Sequence, residues 1–466
     1  MKAKKIKRLV GALLSLFLIV FFALLPGNEL TITHAGFCAI GLFLAAITLW
    51  ITEVFPMAVT ACLIVILYPL FGVMSFNETM ASFSTSAVVF IFGTFGITAM
   101  IKKTSIPARL TSMIIRITKG NSRRLVFLFC LVSGILSGIM SSTATCALFF
   151  SIALVVIEVT GSGEKTGIAA ALSIGLPVAC GIGGFITPAG TPGNIIMMDL
   201  LASFGHPISF AQWTVVGIPV GVAALLIYSF FLVHSLDLKT LDVQSRQKIA
   251  AMTEQCGKWS RNDILALGIT LLMLLLWLLG SVISFFNTAT VAIIGLALMF
   301  LPGLDLISWD DLKNECSANV MLMIGFSPVI AASLITTGAL SYIVTAVFSN
   351  QLFSGMNGIV LFVVLSVLFC VVASFIPSPA ATISLLGPLA WSITQLANMN
   401  SAAVLMVVAF WAASKMLLLY TEPIFFLTLH AGYYDQRLLL KTGWKPALII
   451  ALMTACIIPL TQWAGI

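Results

Sequence analysis

The sequence predicts an all-α polytopic membrane protein with eleven transmembrane helices, two re-entrant hairpins and two inverted repeats. Composition is the first observation behind that reading. The chain has 466 residues, of which 60% are hydrophobic and 8% charged, whereas a soluble globule normally carries about 25% charged residues. Its mean hydropathy is +1.13. The other two observations are the sidedness of its positive charges and a polar interruption inside an apolar segment of each half.

The elements follow in order. Lys2, Lys4, Lys5, Lys7 and Arg8 precede an apolar run to Leu25. No small-x-small cleavage site closes that run and further spans follow at once, so it reads as the first transmembrane helix, not a secretory signal. Further apolar segments fall at about 35–52, 56–74, 86–101, 125–139, 143–159, 167–202, 214–234, 263–284, 288–303, 318–348, 358–376, 381–396, 401–428 and 446–463. A full crossing needs about 20 residues. The pairs 125–139 with 143–159 and 358–376 with 381–396 are short and joined by tight polar tips, which is the pattern of re-entrant hairpins.

Charge placement tests this count. With those pairs as hairpins and the amino terminus cytoplasmic, 22 of the 23 Lys and Arg residues fall in inside connections. They lie before residue 9, from Lys102 to Arg124, at Lys165, from Lys239 to Arg261, at Lys313, and at Arg437, Lys441 and Lys445. That obeys the positive-inside rule and leaves the carboxyl terminus outside, in a pattern that fits a bacterial inner membrane. The net charge of +7 therefore marks topology and a lipid bilayer as partner, not nucleic acid. The nine cysteines stand singly, without metal-type spacing.

The chain divides into a helix outside the repeats at 1–34, a first repeat at 35–234, a polar cytoplasmic linker at 235–262 and a second repeat at 263–466. The first repeat holds the hairpin 125–159 and a broken helix at 167–202; the second holds the hairpin 358–396 and a broken helix at 401–428. Five spans in each half make the two enter from opposite sides, the inverted arrangement of secondary transporters.

The first break is Gly181-Ile182-Gly183-Gly184-Phe185-Ile186-Thr187-Pro188-Ala189-Gly190-Thr191-Pro192-Gly193-Asn194. Five glycines and two prolines in fourteen residues do not hold a regular helix. Irregular backbone at membrane depth is tolerated only when buried in protein or lining a wet cavity, so the break predicts a site. The second break is Tyr420-Thr421-Glu422-Pro423. The tips Ser141-Ser142-Thr143-Ala144-Thr145 and Ser378-Pro379-Ala380-Ala381-Thr382 share serine, alanine and threonine in register.

Two tips and two breaks meeting near the midplane bring helix ends together. Helix amino termini favour small oxyanions, the hydroxyls of Ser141, Ser142, Thr143 and Ser378 add donors, and carbonyls at opposite helix ends suit a small cation. The pattern points to an anion carrier. Lys415 and Glu422 are intramembrane charges that demand a reason. Seven positions separate them, about 10 Å along a continuous helix, so direct pairing requires unwinding near Pro423. A structural salt bridge, an anion-binding lysine and an ammonium in the place of a bound cation are the open readings, and Glu422 is also a candidate proton carrier. Glu53, before Pro56, reads as a helix cap.

Trp50-Ile51-Thr52-Glu53-Val54-Phe55-Pro56, the tip Ser141-Ser142-Thr143-Ala144-Thr145 and Thr187-Pro188-Ala189-Gly190-Thr191-Pro192-Gly193-Asn194, in that order and spacing, resemble the divalent anion/sodium symporter family over nearly the whole chain. The resemblance implies a homodimer of protomers with scaffold and transport domains, working as an elevator. It implies succinate, malate, fumarate, 2-oxoglutarate, citrate or sulfate as substrate. It makes Ser141, Ser142 and Thr143 substrate contacts, lines the first break with Gly190, Thr191, Pro192, Gly193 and Asn194, and places a sodium ion near Ser141, Thr143, Gly190 and Asn194. No organic cofactor is implied.

The second half departs from the family pattern. Ser378, Pro379 and Ala380 stand where Ser-Asn-Thr is usual, and Thr421 is followed by Glu422 where an uncharged residue is expected. Ammonium from Lys415 in place of sodium would make the chain resemble the sodium-independent exchange branch. The expected function is therefore exchange of C4 and C5 dicarboxylates without sodium; sodium- or proton-coupled symport of a dicarboxylate, citrate or sulfate is the alternative. An intramembrane enzyme finds no HExxH, no paired intramembrane aspartates and no GxSxG with a histidine partner. A channel is expected to show a filter or charged ring, not paired hairpins.

Overall fold

Among the described residues, glycine, proline and polar clusters end the helices, and the apolar runs between them are helical. The computed structural model describes all residues except 1, 29–31, 53, 82, 84–85, 160–166, 239–257, 281, 341, 343–356, 377–378, 419–422 and 430. The first half comprises α1 (Lys2–Ala23), α2 (His34–Thr52), α3 (Met57–Leu70), α4 (Phe76–Ala81), α5 (Ser86–Lys102), α6 (Ile106–Thr118), α7 (Ser122–Ser137), α8 (Ser142–Val159), α9 (Gly167–Gly184), α10 (Pro192–Ser203) and α11 (Phe210–Ser235). The second comprises α12 (Arg261–Leu279), α13 (Thr288–Met299), α14 (Trp309–Glu315), α15 (Ala318–Thr336), α16 (Gly358–Ala373), α17 (Pro379–Ala397), α18 (Ser401–Ala413), α19 (Pro423–Leu429), α20 (Gln436–Met453) and α21 (Ile457–Trp463). The order of short hairpin, broken helix and long helix occurs twice, as α7 to α11 and as α16 to α20.

The protein is an all-helical membrane protein. Seven helices among the described residues are long and apolar enough to cross a bilayer, or eight if α5 and α6, bent by 58°, count as one broken span. Eleven crossings therefore require shorter or broken helices to cross as well. Lipid-facing surface is written in the periodicity of α12: Ile264, Leu267, Leu271, Leu275 and Leu278 are exposed, while Ala266, Ile269, Met273 and Trp277 are buried, an apolar outer stripe at helical spacing. In contrast α9 is 94% buried. It packs so closely on α7 that a Cβ on Gly183 would stand 1.8 Å from the Gly134 carbonyl oxygen.

Two connections expected from the sequence are helical. Residues 106–118, inside the basic stretch Lys102 to Arg124, form α6, which buries Ile114, Ile115 and Thr118 and leaves Arg116 exposed. It stops where Lys119 and Gly120 take positive φ of 47° and 79°, a left-handed ending that favours glycine. Arg437, Lys441 and Lys445 likewise lie within α20, because Asp435 accepts the Leu438 N–H at 2.9 Å and starts that helix early. The apolar run alone marked the membrane part and missed the capped polar turns before it.

Charges beside these connections also tie the halves together. Asp263, 1% exposed on α12, accepts from the Ser105 N–H and hydroxyl, each at 2.7 Å, and from the Ser260 N–H at 2.9 Å. Arg109 donates to the Ser105 hydroxyl at 2.6 Å and to the Lys258 carbonyl at 2.6 Å, with its guanidinium 4.7 Å from the centre of the Trp259 ring. Beside this knot, Lys102 pairs with Glu315 and Lys103 with Asp311, both at 2.6 Å. The Lys103 ammonium, and then the Ser308 N–H and hydroxyl, hold the Asp311 carboxyl down to about 2, so that tie stays ionised near neutrality. Removing a buried acceptor costs about 1–3 kcal/mol for each donor left unpaired, whereas exposed pairs are worth about 0–1 kcal/mol. Asp263→Ala is therefore expected to lower the melting temperature of the purified protein by several degrees and Lys103→Ala to leave it nearly unchanged, measured by thermal unfolding in detergent.

Candidate functional site

The first break folds because several of its irregular backbone groups find partners. Residues 185–191 are all buried between α9 and α10. The Asn194 side-chain amide donates to the carbonyls of Gly184 and Thr187, both at 2.8 Å, the Thr187 hydroxyl donates to the Gly138 carbonyl, and Trp213 Nε1 donates to the Phe185 carbonyl at 3.0 Å. These bonds satisfy the requirement that irregular backbone in a membrane be paired within the protein. Pro192 then starts α10 from Thr191, whose extended backbone has φ −148° and ψ 143°. Proline suits the first turn of a helix, where its missing N–H is not needed.

The first tip docks on this break. The Ser142 N–H donates to the Gly190 carbonyl at 3.2 Å, and the Ser137 hydroxyl to the Cys180 carbonyl at 2.6 Å. Ser141 carbonyl is taken by the Thr145 hydroxyl at 3.0 Å. Ser141 and Ser142 are half-buried and Thr143 is exposed, while Gly190, Thr191, Gly193 and Asn194 are buried and Pro192 is half-buried. Asn194 Oδ1 is buried with no hydrogen-bond partner among the described residues.

The second half reaches the same place. A Cβ on Gly193 would lie 3.1 Å from Pro379 Cβ, so the start of α10 touches the start of α17; a Cβ on Gly181 would lie 2.5 Å from the Ala413 carbonyl oxygen, so α9 crosses the end of α18. The amino ends of α8, α10 and α17 thus gather around one region, each presenting N–H groups without helical partners and a partial positive charge. Ala380 is buried and Pro379 half-buried at that junction. Lys415, 2% exposed, sends its ammonium to the Ile376 carbonyl, in the turn that follows α16. Ser378, Thr421, Glu422 and Glu53 lie outside the described residues.

A model of the citrate transporter family (CitMHS) matches residues 47–294, more than half of the chain. The chain belongs to the citrate transporter family. It stands with the divalent anion/sodium symporters that its tip and break motifs resemble. Among relatives of this family member, the sodium-dependent dicarboxylate transporter SdcS of Staphylococcus saprophyticus is 26% identical over 441 residues, covering 89% of this chain and 83% of the relative. The protein of that name from Staphylococcus aureus is 26% identical over 356 residues, covering 71% and 67%. In fold, the chain is similar to the YdaH transporter of Alcanivorax borkumensis, with a TM-score of 0.54 at 13% identity over 84% of this chain and 88% of that one.

Two features of this family member's site went unread in the sequence. One is Thr187, whose side chain ties the break to the end of α7 just before the tip; it stood in the glycine-rich stretch, and a hydroxyl immediately before a proline is the signal that would have found it. The other is the Ile376 carbonyl that receives Lys415. A backbone acceptor has no signature in a sequence.

Proposed function

We propose that the protein carries small divalent anions across the membrane, C4 and C5 dicarboxylates first, by exchange that does not need sodium. The observation that carries this reading is the buried Lys415 ammonium bonded to the Ile376 carbonyl beside the junction of α10 and α17. Anion charge is favoured at the gathered helix amino termini. Cation charge is favoured at carbonyl ends, and in the second half a tethered ammonium supplies it. Ser141, Ser142 and Thr143 with Gly190, Thr191, Pro192, Gly193 and Asn194 form the first side of the anion site. Pro379 and Ala380, with Ser378 and Thr421, form the second. The transport domain so formed moves as an elevator between the two faces of the membrane within a homodimer, its amino terminus in the cytoplasm.

One observation favours a second reading. Asn194 Oδ1 is a buried acceptor without a partner, and a sodium ion beside Asn194, Gly190, Ser141 and Thr143 would satisfy it. The staphylococcal relatives are named for sodium-dependent dicarboxylate transport, which agrees with that reading. Uptake of labelled succinate into proteoliposomes, loaded with unlabelled succinate or with buffer and given or denied an inward sodium gradient, separates the two. Exchange predicts uptake only into loaded vesicles, with or without sodium. Uptake into buffer-filled vesicles that follows sodium establishes symport.

A further inference from the structure

Between the start of α9 and the turn leading into α20 lies a cavity of about 410 Å³, lined by Ala170, Tyr433, Tyr434, Asp435, Arg437 and Lys441 among others. Its size falls within the usual range of small-molecule pockets, about 300–1,000 Å³. The floor is fixed: the Tyr434 hydroxyl pairs with the Thr428 hydroxyl at 2.7 Å and donates to the Phe425 carbonyl at 3.3 Å, both on α19. The rim is tied to the second break, since Gln436 Nε2 donates to the Leu417 carbonyl at 2.7 Å. Two turns further on, a Cβ on Gly443 would stand 2.0 Å from the Met416 carbonyl oxygen. The cavity is therefore built directly against the segment that holds Lys415.

Its charges are placed against the ordinary rules of helix electrostatics. Arg437 and Lys441 are exposed on one face of α20, four residues apart, near the amino end of a helix of 18 residues. Like charges at that spacing repel, and Arg437, in the first turn, also opposes the helix dipole. Asp435, which caps α20 through the Leu438 N–H and lines the same cavity, offsets one of these charges and leaves the lining net positive. No ion pair of Arg437 or Lys441 occurs among the described residues. Two mutually repelling cations against one carboxylate, in a formed cavity, point to an anion that compensates them.

We infer that this cavity is a waiting site for the carboxylate substrate on the membrane face where Arg437 and Lys441 lie, one step outside the central anion site. The inference rests on the proposed anion transport. Focused positive charge raises the local concentration of an anion and its rate of entry, so the site acts on capture and not on the crossing itself. A carboxylate substrate and an anionic lipid headgroup share the chemistry that these cations recognise, and the test distinguishes them.

Succinate exchange is measured in proteoliposomes of sorted orientation, first in pure phosphatidylcholine and then with phosphatidylglycerol added. Wild-type exchange in this assay checks the transport reading by itself; its absence refutes that reading whatever the variants do. The double variant Arg437→Gln with Lys441→Gln is expected to raise KM about three- to tenfold for succinate presented to the Arg437 face, with KM on the other face and kcat unchanged. The difference shrinks as salt screens the charges. Arg437→Lys with Lys441→Arg, which keeps both charges, is expected to retain the wild-type KM. An unchanged KM in the double variant overturns the inference, as does an equal change on both faces. An effect seen only when phosphatidylglycerol is present assigns the cations to lipid headgroups and overturns it too.

Discussion

Gly183→Ala is expected to abolish transport and to lower the melting temperature of the purified protein sharply. The added Cβ would stand 1.8 Å from the Gly134 carbonyl oxygen, 2.4 Å from its carbonyl carbon and 2.7 Å from its Cα. All three are backbone atoms of α7, which no rotamer change moves. Either α7 and α9 separate or one of them bends, and both carry the first tip and the first break. Overpacking of a close-packed interior costs typically about 1–3 kcal/mol and more where nothing relaxes. Gly268→Ala is the matching control: nothing lies within 4 Å of its Cβ position on α12, and alanine improves helix propensity by roughly 1 kcal/mol. Thermal unfolding and succinate exchange on both variants make the comparison. A Gly183→Ala protein with wild-type stability and rate contradicts the close approach of α7 and α9.

Lys415→Ala is expected to reduce exchange by tenfold to a hundredfold while the protein still folds into the membrane. The ammonium hydrogen bond to the Ile376 carbonyl joins the segment after α18 to the turn after α16. A hydrogen bond to a charged group contributes roughly 1.5–3 kcal/mol, and each 1.4 kcal/mol is about tenfold in rate. Lys415→Arg keeps the charge but spreads it over a planar fork that does not fit one carbonyl as a point charge does, so partial recovery is the expected result. If the ammonium stands for a cation, exchange by Lys415→Ala also gains a dependence on sodium. Unchanged exchange together with unchanged cation dependence removes Lys415 from the mechanism.

Much of this molecule was legible before its structure. The segments 125–159 and 358–396 each hold two helices, α7 with α8 and α16 with α17, and 167–202 is broken between α9 and α10; Ser378 of the second tip and Tyr420 to Glu422 of the second break lie outside the described residues, and α17 is by itself long and apolar enough to cross a bilayer. Helix breakers in an apolar run act locally, which is why they read well. The stretch Lys102 to Arg124 did not read well: its basic residues marked a connection, yet α6 forms there by burying Ile114 and Ile115 on one face. Arg437 and Lys441 were read in the same way and prove to be the first turns of α20. Sidedness of charge reports which face of the membrane a residue meets and is silent about its secondary structure.

Alone, the sequence determined the membrane class, the apolar segments, the first tip and the first break, because hydropathy and helix-breaking chemistry are properties of consecutive residues. Only the tertiary structure decided that Gly193 meets Pro379, that Gly181 meets the end of α18, and that Lys415 bonds the Ile376 carbonyl. Those contacts join residues far apart in the chain. They depend on bare backbone, on the absence of a Cβ at Gly181 and Gly193 and on an oxygen that every residue carries, so the fold, not the residue order, selects the partners.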